Sequence, residues 1–271
     1  MPHEPTTISS LQNERVKLIC SLEMRKARRE TGLFVAEGAS ILVTAREAGF
    51  TPRMLVAQAG AGQNRIQRGL VAWALAAGAD VLDVTPAVLG KLAAKDNPQT
   101  VMGVFEQRWA APPQPRALAA DDLWLALEEV RDPGNLGTIM RTVDAVGAKG
   151  VILVGACCDP YARDAVRATM GSIFAVPVVR TERPEFLALA AAWPGDVVGT
   201  HLDAAEDFRH AQPKGPTLLV MGSEGPGMSD ELRTACTRLV RIPMAGGLDS
   251  LNLAVATALT LYQLRGAHLR L

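Results

Sequence analysis

Cysteine and histidine are scarce in this sequence, and neither is spaced as a metal site requires. The cysteines and histidines are Cys20, Cys157, Cys158, Cys236, His3, His201, His210 and His268. Two of the cysteines are adjacent, which is too close for the CxxC pair that chelates zinc. The histidines show no HExxH motif and no other paired-ligand spacing. We therefore expect buried, free thiols and a chemistry that works without a metal ion.

Long hydrophobic runs and a secretion signal are missing as well. Hydrophobic residues make up 48% of the chain, but no run approaches the roughly 20 apolar residues that cross a bilayer. The start of the chain, MPHEPTTISSLQNER, lacks the basic residues, the apolar stretch and the cleavage site of a secretory signal. We therefore expect a soluble, cytoplasmic protein with no membrane partner. Its 271 residues suffice for two modest domains, each with its own core.

An excess of charge of one sign is also absent, since 28 basic residues balance 28 acidic ones. Residues 1–108 carry 13 Lys or Arg and 10 Asp or Glu, whereas residues 109–271 carry 15 and 18. A basic first half permits a polyanionic partner, although a difference of this size also arises by chance. A basic run in that half consists of Arg15, Lys17, Arg25, Lys26, Arg28 and Arg29. Taken alone, such a run is usually a solvated helix face.

Proline concentrates in the segment 109–116, between two regions of apolar patterning. Proline there favours an extended, semi-rigid spacer. We therefore predict a first domain over residues 1–108, a linker over 109–120 and a second domain over 121–271.

The first region alternates helical and extended patterns, as a small α/β sandwich does. Helices are predicted over residues 14–29, 39–48, 70–77 and 86–94. Strands are predicted over residues 32–38, 52–57, 80–84 and 101–105.

The second region also alternates, and its apolar strands predict a parallel sheet covered on both faces. A helix is predicted over residues 135–146, and strands over 123–130, 150–155, 173–178, 196–200, 217–221 and 239–242. The last predicted helix, 251–264, is apolar on nearly every side. We therefore expect it in the core or in a subunit interface.

Polar residues interrupt this pattern in three segments, each at a junction between a strand and a loop. The first, EEVRDPGNLGTIMRTVDAVG, passes a Pro-Gly turn and places Asn135 at a helix start. Asn135 can simply cap that helix. A cap does not explain Arg141, a permanent charge about two turns further on in an apolar stretch. A guanidinium near the carboxyl edge of a parallel sheet suits a phosphate or a carboxylate.

The second segment, LLVMGSEGPGMS, runs from a strand into a loop with Gly222, Gly225 and Gly227. Open α/β sheets bind ligands just beyond the carboxyl ends of their strands, and glycine allows close approach of the backbone. The loop is neither a P-loop nor a GxGxxG fingerprint. A tight turn before the helix that Ser229 begins is the alternative, but it leaves Glu224 unexplained.

The third segment, RIPMAGGLDSLNLAVATALTLY, joins a strand through a Gly-Gly loop to the apolar last helix. Ser250 and Asn252 flank the start of that helix and both could be caps, although Ser250 alone would suffice. Asn252, a polar amide inside an apolar helix, then needs a partner of its own. Three such junctions together are typical of a ligand site.

In this order, the three segments resemble the signature of the SpoU (TrmH-like) branch of the SPOUT methyltransferases. The resemblance covers about residues 121–271. Residues 8–105, with ISSLQNERVK and GLFVAEG, resemble the L30e-like RNA-binding domain that often precedes it. One departure is Asp132, where the family more often has asparagine, at a position outside those usually given catalytic roles.

The resemblance implies an α/β domain with a deep trefoil knot, whose loops clasp S-adenosylmethionine. Ordinary topology rules would not have proposed a knot. The residues implied to form the cofactor pocket are Thr200, Gly222, Gly227, Ile242, Met244 and Leu251. His201 borders the same pocket as an expected bystander. Family members are dimers that pack their C-terminal helices together, which would account for the apolar last helix.

The implied activity is RNA ribose 2'-O-methylation, with a catalytic set of Asn135, Arg141, Glu224, Ser250 and Asn252. Arg141 matches the arginine proposed in the family to help remove the hydroxyl proton. Because arginine stays protonated in nearly all settings, its easier role is to grip a phosphate and orient the hydroxyl. The two asparagines can orient the ribose or the arginine. Glu224 can hold Arg141, and Ser250 can contact donor or substrate.

Beside such a domain, the basic run of the first region would contact RNA phosphates. Ribosomal RNA is the expected substrate, because an L30e-like front is commoner among the rRNA-directed members. A tRNA 2'-O-methyltransferase is the near alternative. A non-catalytic RNA-binding assembly factor is a second alternative, against which the intact catalytic set argues. An unrelated nucleotide-binding enzyme such as a kinase would require a phosphate loop that this sequence lacks.

Overall fold

The computed structural model describes residues 4–58, 65–93, 99–247 and 250–269. His3 and Ala94, the end of a predicted helix, lie outside these ranges. The chain divides into two compact units. The first unit comprises Met1–Gln107 with Asp159–Ala175, and the second comprises Arg108–Cys158 with Val176–Leu271.

The first unit is built on a five-stranded mixed sheet of order β1-β4-β3-β5-β2. Strand β5 is antiparallel to both β2 and β3, whereas the other pairs are parallel. The elements of this sheet and its helices are β1 (Thr6–Ile8), α1 (Glu14–Ser21), α2 (Arg25–Thr31), β2 (Leu33–Glu37), α3 (Ala39–Glu47), β3 (Met54–Gln58), α4 (Arg65–Ala76), β4 (Asp80–Val84), α5 (Pro86–Ala93) and β5 (Val101–Glu106). The small α/β domain predicted for this region is confirmed.

The helix predicted over residues 14–29 is wrong, because the chain breaks it into α1 and α2. Leu22, between the two helices, is fully buried. Arg28 of α2 turns back and donates from its guanidinium to the carbonyl oxygens of Leu22 and Glu23, both at 2.8 Å. The break therefore exposes carbonyl groups that this one side chain satisfies.

The internal segment Asp159–Ala175 belongs to the first unit, whereas the sequence placed it in the second domain. It contains α7 (Arg163–Ala168) and a 3-10 turn over Ser172–Phe174. The Phe34 ring of β2 lies 4.8 Å from the Tyr161 ring and 5.7 Å from the Phe174 ring, centroid to centroid. Aromatic packing on β2 therefore explains why this segment leaves the second unit.

The second unit is a seven-stranded sheet of order β10-β12-β9-β11-β6-β7-β8, parallel throughout. The parallel sheet predicted from the apolar strands is thus confirmed. Its strands and helices are β6 (Leu123–Glu128), α6 (Pro133–Ala145), β7 (Val151–Val154), β8 (Val178–Thr181), α8 (Arg183–Ala191), β9 (Val197–Thr200), β10 (Glu206–Asp207), β11 (Thr217–Met221), α9 (Asp230–Ala235), β12 (Arg238–Arg241) and α10 (Leu253–Arg265).

The strand predicted over residues 173–178 is wrong, since β8 begins only at Val178. The apolar residues before it, Ile173 and Phe174, are buried in the 3-10 turn of the first unit. An apolar run marks burial, and burial alone does not separate a strand from a packed turn.

The proline-rich segment is packed onto the second unit. The backbone N–H of Ala110 donates to the Val178 carbonyl of the edge strand β8 at 2.9 Å. The Arg180 guanidinium lies 4.0 Å from the Trp109 ring centroid. The segment therefore covers the edge of the sheet, which leaves that edge unavailable for pairing. No helix in the described ranges is long and apolar enough to span a bilayer.

Candidate active site

The carboxyl ends of β9, β11 and β12 meet at one edge of the parallel sheet of the second unit. A cavity of about 570 Å³ lies there. The residues that the sequence predicted for a cofactor pocket all line it, and these are Thr200, Gly222, Gly227, Ile242, Met244 and Leu251. The fold thus brings together residues from three separate segments, as expected at the carboxyl edge of an α/β sheet.

The loop Gly222–Met228, which we call the glycine loop, forms one wall of the cavity. A Cβ at Gly222 would lie 2.1 Å from the Gly227 carbonyl carbon and the Met228 nitrogen, so glycine is required there. Gly227 has a φ of 78°, in the left-handed region. Ser223 and Gly227 exchange backbone hydrogen bonds of 3.0 and 3.1 Å, which close the loop on itself.

Asn135, Glu224 and Asn252 form a continuous hydrogen-bonded cluster. The Asn135 amide nitrogen donates to Glu224 Oε1 at 3.0 Å. The Asn252 amide nitrogen donates to Asn135 Oδ1, also at 3.0 Å. Because Glu224 and Asn252 both line the cavity, Asn135 joins two sides of the cavity wall. One residue from each of the three predicted segments therefore takes part in the cluster.

Glu224 also holds the turn that precedes α6. Its carboxylate accepts from the backbone N–H of Arg131 at 3.0 Å and of Asp132 at 3.4 Å. Partial burial acts to raise the pKa of Glu224, but the hydrogen bonds from Arg131, Asn135 and Asp132 hold that pKa below its ordinary value. The expectation that Glu224 holds Arg141 is wrong, because its hydrogen bonds in the described ranges go to that turn and to Asn135.

The structure decides between the helix caps that the sequence left open. Asp132, not Asn135, caps α6, and its Oδ1 accepts from the Asn135 N–H at 2.6 Å. Pro133 occupies the first turn, where its missing N–H costs nothing, so the helix starts earlier. Asn252, not Ser250, caps α10 by accepting from the N–H groups of Ala254 and Val255. The whole side-chain amide of Asn135 is therefore left for the cluster. Asn252 uses its amide oxygen for the cap and its amide nitrogen for the cluster.

Arg141 lies on α6, about two turns beyond its start, and is exposed. Within the described ranges its side chain has no hydrogen bond or ion pair. It is not among the residues that line the cavity. The structure therefore leaves an unpaired guanidinium on the same helix as Asn135. Ser250, by contrast, lines the cavity.

His201 lines the cavity beside Thr200. Its Nδ1 accepts from the Asp203 N–H at 3.2 Å, so this nitrogen serves the loop. The Thr200 hydroxyl contacts Met221 Sδ at 3.4 Å across the neighbouring strand. Both contacts are consistent with a structural role for this corner of the cavity.

Glu128 is the main residue that the sequence did not single out, and its partner Ser229 was noted only as the start of a helix. Glu128, the last residue of β6, is only 3% exposed. Its Oε2 accepts from the Ser229 N–H at 2.7 Å, and its Oε1 pairs with Arg183 at 3.0 Å. The available signal was a charge at the end of a fully apolar run, where a buried carboxylate needs partners.

Most of the basic run predicted to bind RNA pairs with carboxylates of the first unit. Arg28 is 4% exposed and pairs with Asp159 at 2.8 Å, so its assignment to RNA binding is wrong. The other ion pairs join Arg15 to Asp80, Lys17 to Glu14 and Lys26 to Glu30. Arg25 and Arg29 are exposed. The charge pattern could not reveal the pairs of Arg15 and Arg28, because Asp80 and Asp159 are distant in sequence.

The cysteines are free, as expected, but only Cys157 is buried, and the other three are half-buried. Burial raises the pKa of Cys157 to about 11 and that of Cys236 to about 12. Neither thiol is therefore a ready nucleophile at neutral pH. Among the described residues, no group of three His, Cys, Asp or Glu side chains could hold a metal ion.

The fold and the cavity define an α/β protein whose sheet edge carries an open cavity, with a glycine loop as one wall and a polar cluster beside it. The SpoU rRNA methylase family model matches residues 122–262. A model described as an MRM3-like substrate-binding domain matches residues 13–103. The chain belongs to the SpoU rRNA methylase family, which confirms the resemblance carried by the three segments.

Solved and curated relatives cover nearly the whole chain. An AdoMet-bound rRNA methyltransferase from Sinorhizobium meliloti is 40% identical, with a TM-score of 0.88 over 98% of this chain and 99% of that one. A 23S rRNA (uridine(2479)-2'-O)-methyltransferase of Streptomyces viridochromogenes is 34% identical over 88% of this chain and 84% of its own length. The 23S rRNA (guanosine(2553)-2'-O)-methyltransferase RlmP of Bacillus subtilis is 28% identical over 96% and 99%.

Proposed function

We propose that this protein is an S-adenosylmethionine-dependent methyltransferase that acts on the ribose 2'-hydroxyl of ribosomal RNA. The observation that carries the proposal is the cluster of Asn135, Glu224 and Asn252 in the wall of the glycine-loop cavity. The relatives named as 23S rRNA 2'-O-methyltransferases support both the reaction and the substrate.

The cavity residues fit S-adenosylmethionine. The cavity volume of about 570 Å³ lies in the usual range for sites that enclose a small organic ligand. Ile242, Met244 and Leu251 provide an apolar lining for an adenine ring, and the glycine loop provides a wall without side chains. When bound, the cofactor supplies a methyl group activated by its attachment to a sulfonium sulfur.

The polar cluster orients the ribose hydroxyl, and Glu224 is a positioning group. Its lowered pKa makes Glu224 a weak base at neutral pH, and its oxygens are already occupied by the turn before α6. Asn252 and Ser250 line the cavity and can face the ribose. These groups supply orientation, which accounts for a large share of the rate in a reaction between two bound partners.

Arg141 holds an RNA phosphate next to the target nucleotide. Its exposed guanidinium, which has no partner among the described residues, is available to a phosphate and can bind it with two parallel hydrogen bonds. A guanidinium that remains charged is a poor base, so we assign it to orientation of the substrate. Of the basic run, Arg15, Lys17, Arg25, Lys26 and Arg29 remain as further candidates for phosphate contacts.

The protein is a homodimer that joins through α10. Val255, Leu259 and Tyr262 are 49%, 42% and 49% exposed, and their spacing puts them on one face of this helix. An apolar stripe of this kind suits a second copy of the chain. We also propose the family's trefoil knot for the second unit and a cytoplasmic location, where ribosomal RNA is modified.

The deciding experiment incubates the protein with labelled S-adenosylmethionine and separate pools of rRNA and tRNA. We expect label in rRNA only, at a ribose 2'-oxygen. Label in tRNA only would favour the tRNA enzyme. The absence of label in both pools, with the cofactor still bound, would favour a non-catalytic RNA-binding factor.

A further inference from the structure

We infer that Glu128 is a positioning residue that holds the glycine loop in its cofactor-binding shape. The inference rests on the proposed function, because the loop's ligand is taken to be S-adenosylmethionine. Glu128 ends β6 and is buried, so it does not touch the cavity itself. It would act through Ser229, the residue that directly follows the loop.

The two ends of the glycine loop are held in different ways. The leading end continues from β11, whose Met221 lies beside Leu127 of β6 in the parallel ladder. The trailing end is held by the hydrogen bond of 2.7 Å from the Ser229 N–H to Glu128 Oε2. Ser229 also caps α9 by accepting from the Leu232 N–H. Glu128 thus fixes the point where the loop ends and the helix begins.

The geometry of the loop makes its shape sensitive to this point. Gly222 packs directly against the backbone of Gly227 and Met228, with no room for a Cβ. Met228, next to Ser229, also lines the cavity. A shift of Ser229 therefore moves a wall of the cavity, where the loop offers backbone groups to the ligand.

The surroundings of Glu128 are built to keep its carboxylate in place. Glu129 has a φ of 48°, which is rare for a residue with a side chain. Successive strand residues point to opposite faces, but here both carboxylates reach Arg183, at 3.0 and 3.3 Å. Arg183 is also paired with Glu231 of α9 at 3.1 Å. The guanidinium therefore ties the end of β6 to the helix that follows the loop.

Calorimetry with S-adenosylhomocysteine on Glu128→Ala and Glu37→Ala tests the assignment. We expect Glu128→Ala to raise the Kd about tenfold, because the loop loses a hydrogen bond to a charged group. The KM for the methyl donor should rise in parallel, while kcat at saturating donor stays near the wild-type value. Glu37 is the matched control, since it is a buried carboxylate paired with Arg163 and Arg167 in the first unit.

Thermal unfolding separates positioning from a merely structural role. Both variants should lower the Tm, but only Glu128→Ala should change the Kd. If Glu128→Ala does not fold, Glu128→Leu decides, since its side chain fills similar space but cannot accept from Ser229, and it should give a similar rise in Kd. A wild-type Kd in a folded Glu128 variant would overturn the assignment. A wild-type protein that binds no S-adenosylhomocysteine would instead overturn the proposed function.

A different observation assigns an RNA-contacting surface to the first unit, on helices α3 and α4. We propose that Arg46, Arg65 and Arg68, here called the α3–α4 arginine face, bind RNA phosphates. Arg46 Nη1 lies 3.9 Å from the position that a Cβ of Gly69 would occupy, so it extends onto α4. Arg65 and Arg68 lie within about one turn of Gly69 on that helix.

The charge balance of this face differs from that of α1 and α2. Helix α4 contains two arginines and no Asp or Glu. Arg46 and Arg65 are exposed and have no hydrogen bond or ion pair to a described residue. The α1 cations Arg15 and Lys17, by contrast, already have carboxylate partners. A polyanion would therefore bind Arg46 and Arg65 without first breaking an ion pair to a described residue.

RNA binding by the pair Arg46→Gln/Arg65→Gln, measured against salt, tests this surface. We expect weaker binding and a salt slope smaller by about 1.4 to 1.8, the value for two lost phosphate contacts. The control, Arg53→Gln/Lys149→Gln, removes the same charge from exposed, ion-paired positions and should change the slope less. An equal change of the salt slope in both double variants, or no change in Arg46→Gln/Arg65→Gln, would overturn the assignment of this surface to RNA. The Kd for S-adenosylhomocysteine should stay at the wild-type value in both.

Discussion

Two regions of the second unit are joined by carboxylates that accept hydrogen bonds from backbone N–H groups. One region is the turn between β6 and α6, and the other is the glycine loop between β11 and α9. Glu224 of the loop binds the backbone of Arg131 and Asp132 in the turn. Glu128, just before the turn, binds the backbone of Ser229 just after the loop. The first carboxylate lines the cavity and the second is sealed from it. We therefore propose that the same type of bond serves substrate orientation in one place and loop shape in the other.

The two regions also differ in what they offer to a ligand. The turn leads into α6, which carries Asn135 and Arg141, whose side chain has no partner among the described residues. The glycine loop offers backbone and space, because Gly222 and Gly227 carry no side chains. We therefore assign substrate orientation to the first region and cofactor binding to the second. Each prediction below changes one region, or the link between them, and shows which of the assigned functions is affected.

Arg141→Ala should have the largest effect, because it removes the cation that orients the substrate. We expect methyl transfer to fall about a thousandfold, as when a preorganised charged donor is lost. The Kd for S-adenosylhomocysteine should not change, since Arg141 does not line the cavity. Single-turnover assays and calorimetry check the two halves of this prediction. Arg116→Ala, at an exposed position of the same unit, is the control. A normal rate in Arg141→Ala would contradict the role given to this residue.

Gly222→Ala should damage the second region alone. Its new Cβ would lie 2.1 Å from loop backbone atoms that cannot move freely. We expect a loss of about 3 kcal/mol in unfolding free energy and no detectable cofactor binding. Urea unfolding and calorimetry measure both. Gly90→Ala, where a Cβ would meet nothing within 4 Å, should leave both near the wild-type values. Retained cofactor binding in Gly222→Ala would show that the loop does not form the pocket.

Asn135→Ala should break the link between the two regions. It removes the bonds of Asn135 to Glu224 and Asn252, so we expect a loss of about tenfold to a hundredfold in kcat. The KM for the methyl donor should change little, because the glycine loop keeps its own closing bonds. Thr138→Ala, an exposed change on the same helix, is the control. A rise in KM with an unchanged kcat would mean that the cluster serves the cofactor instead.

The smallest effect concerns the titration of Glu224. Its pKa in the fold is below the ordinary value of 4.5, so the fold favours the ionised form. The resulting stability is present above pH 4.5 and is lost as the pH falls through the lowered pKa. Glu224→Gln should therefore flatten the acid limb of stability against pH, as measured by urea unfolding. An unchanged acid limb would mean that Glu224 gains nothing from its backbone partners.

The sequence by itself determined the family, the parallel sheet and the set of polar positions at its edge. Apolar strands followed by glycine, asparagine and glutamate are local patterns, and their order along the chain was specific. The residues expected around the cofactor, such as Thr200 and Leu251, lie around one cavity because parallel strands end at a common edge.

Only the tertiary structure decided which partner each polar group takes. Arg28 and Asp159 are separated by 131 positions, and Glu128 and Ser229 by 101. Spacing along the chain therefore could not show that the first is buried or that the second holds a loop. The caps at Asp132 and Asn252 depend on where each helix starts, which packing fixes. Local patterns encode burial and turns, whereas pairing between distant charges exists only once the chain has folded.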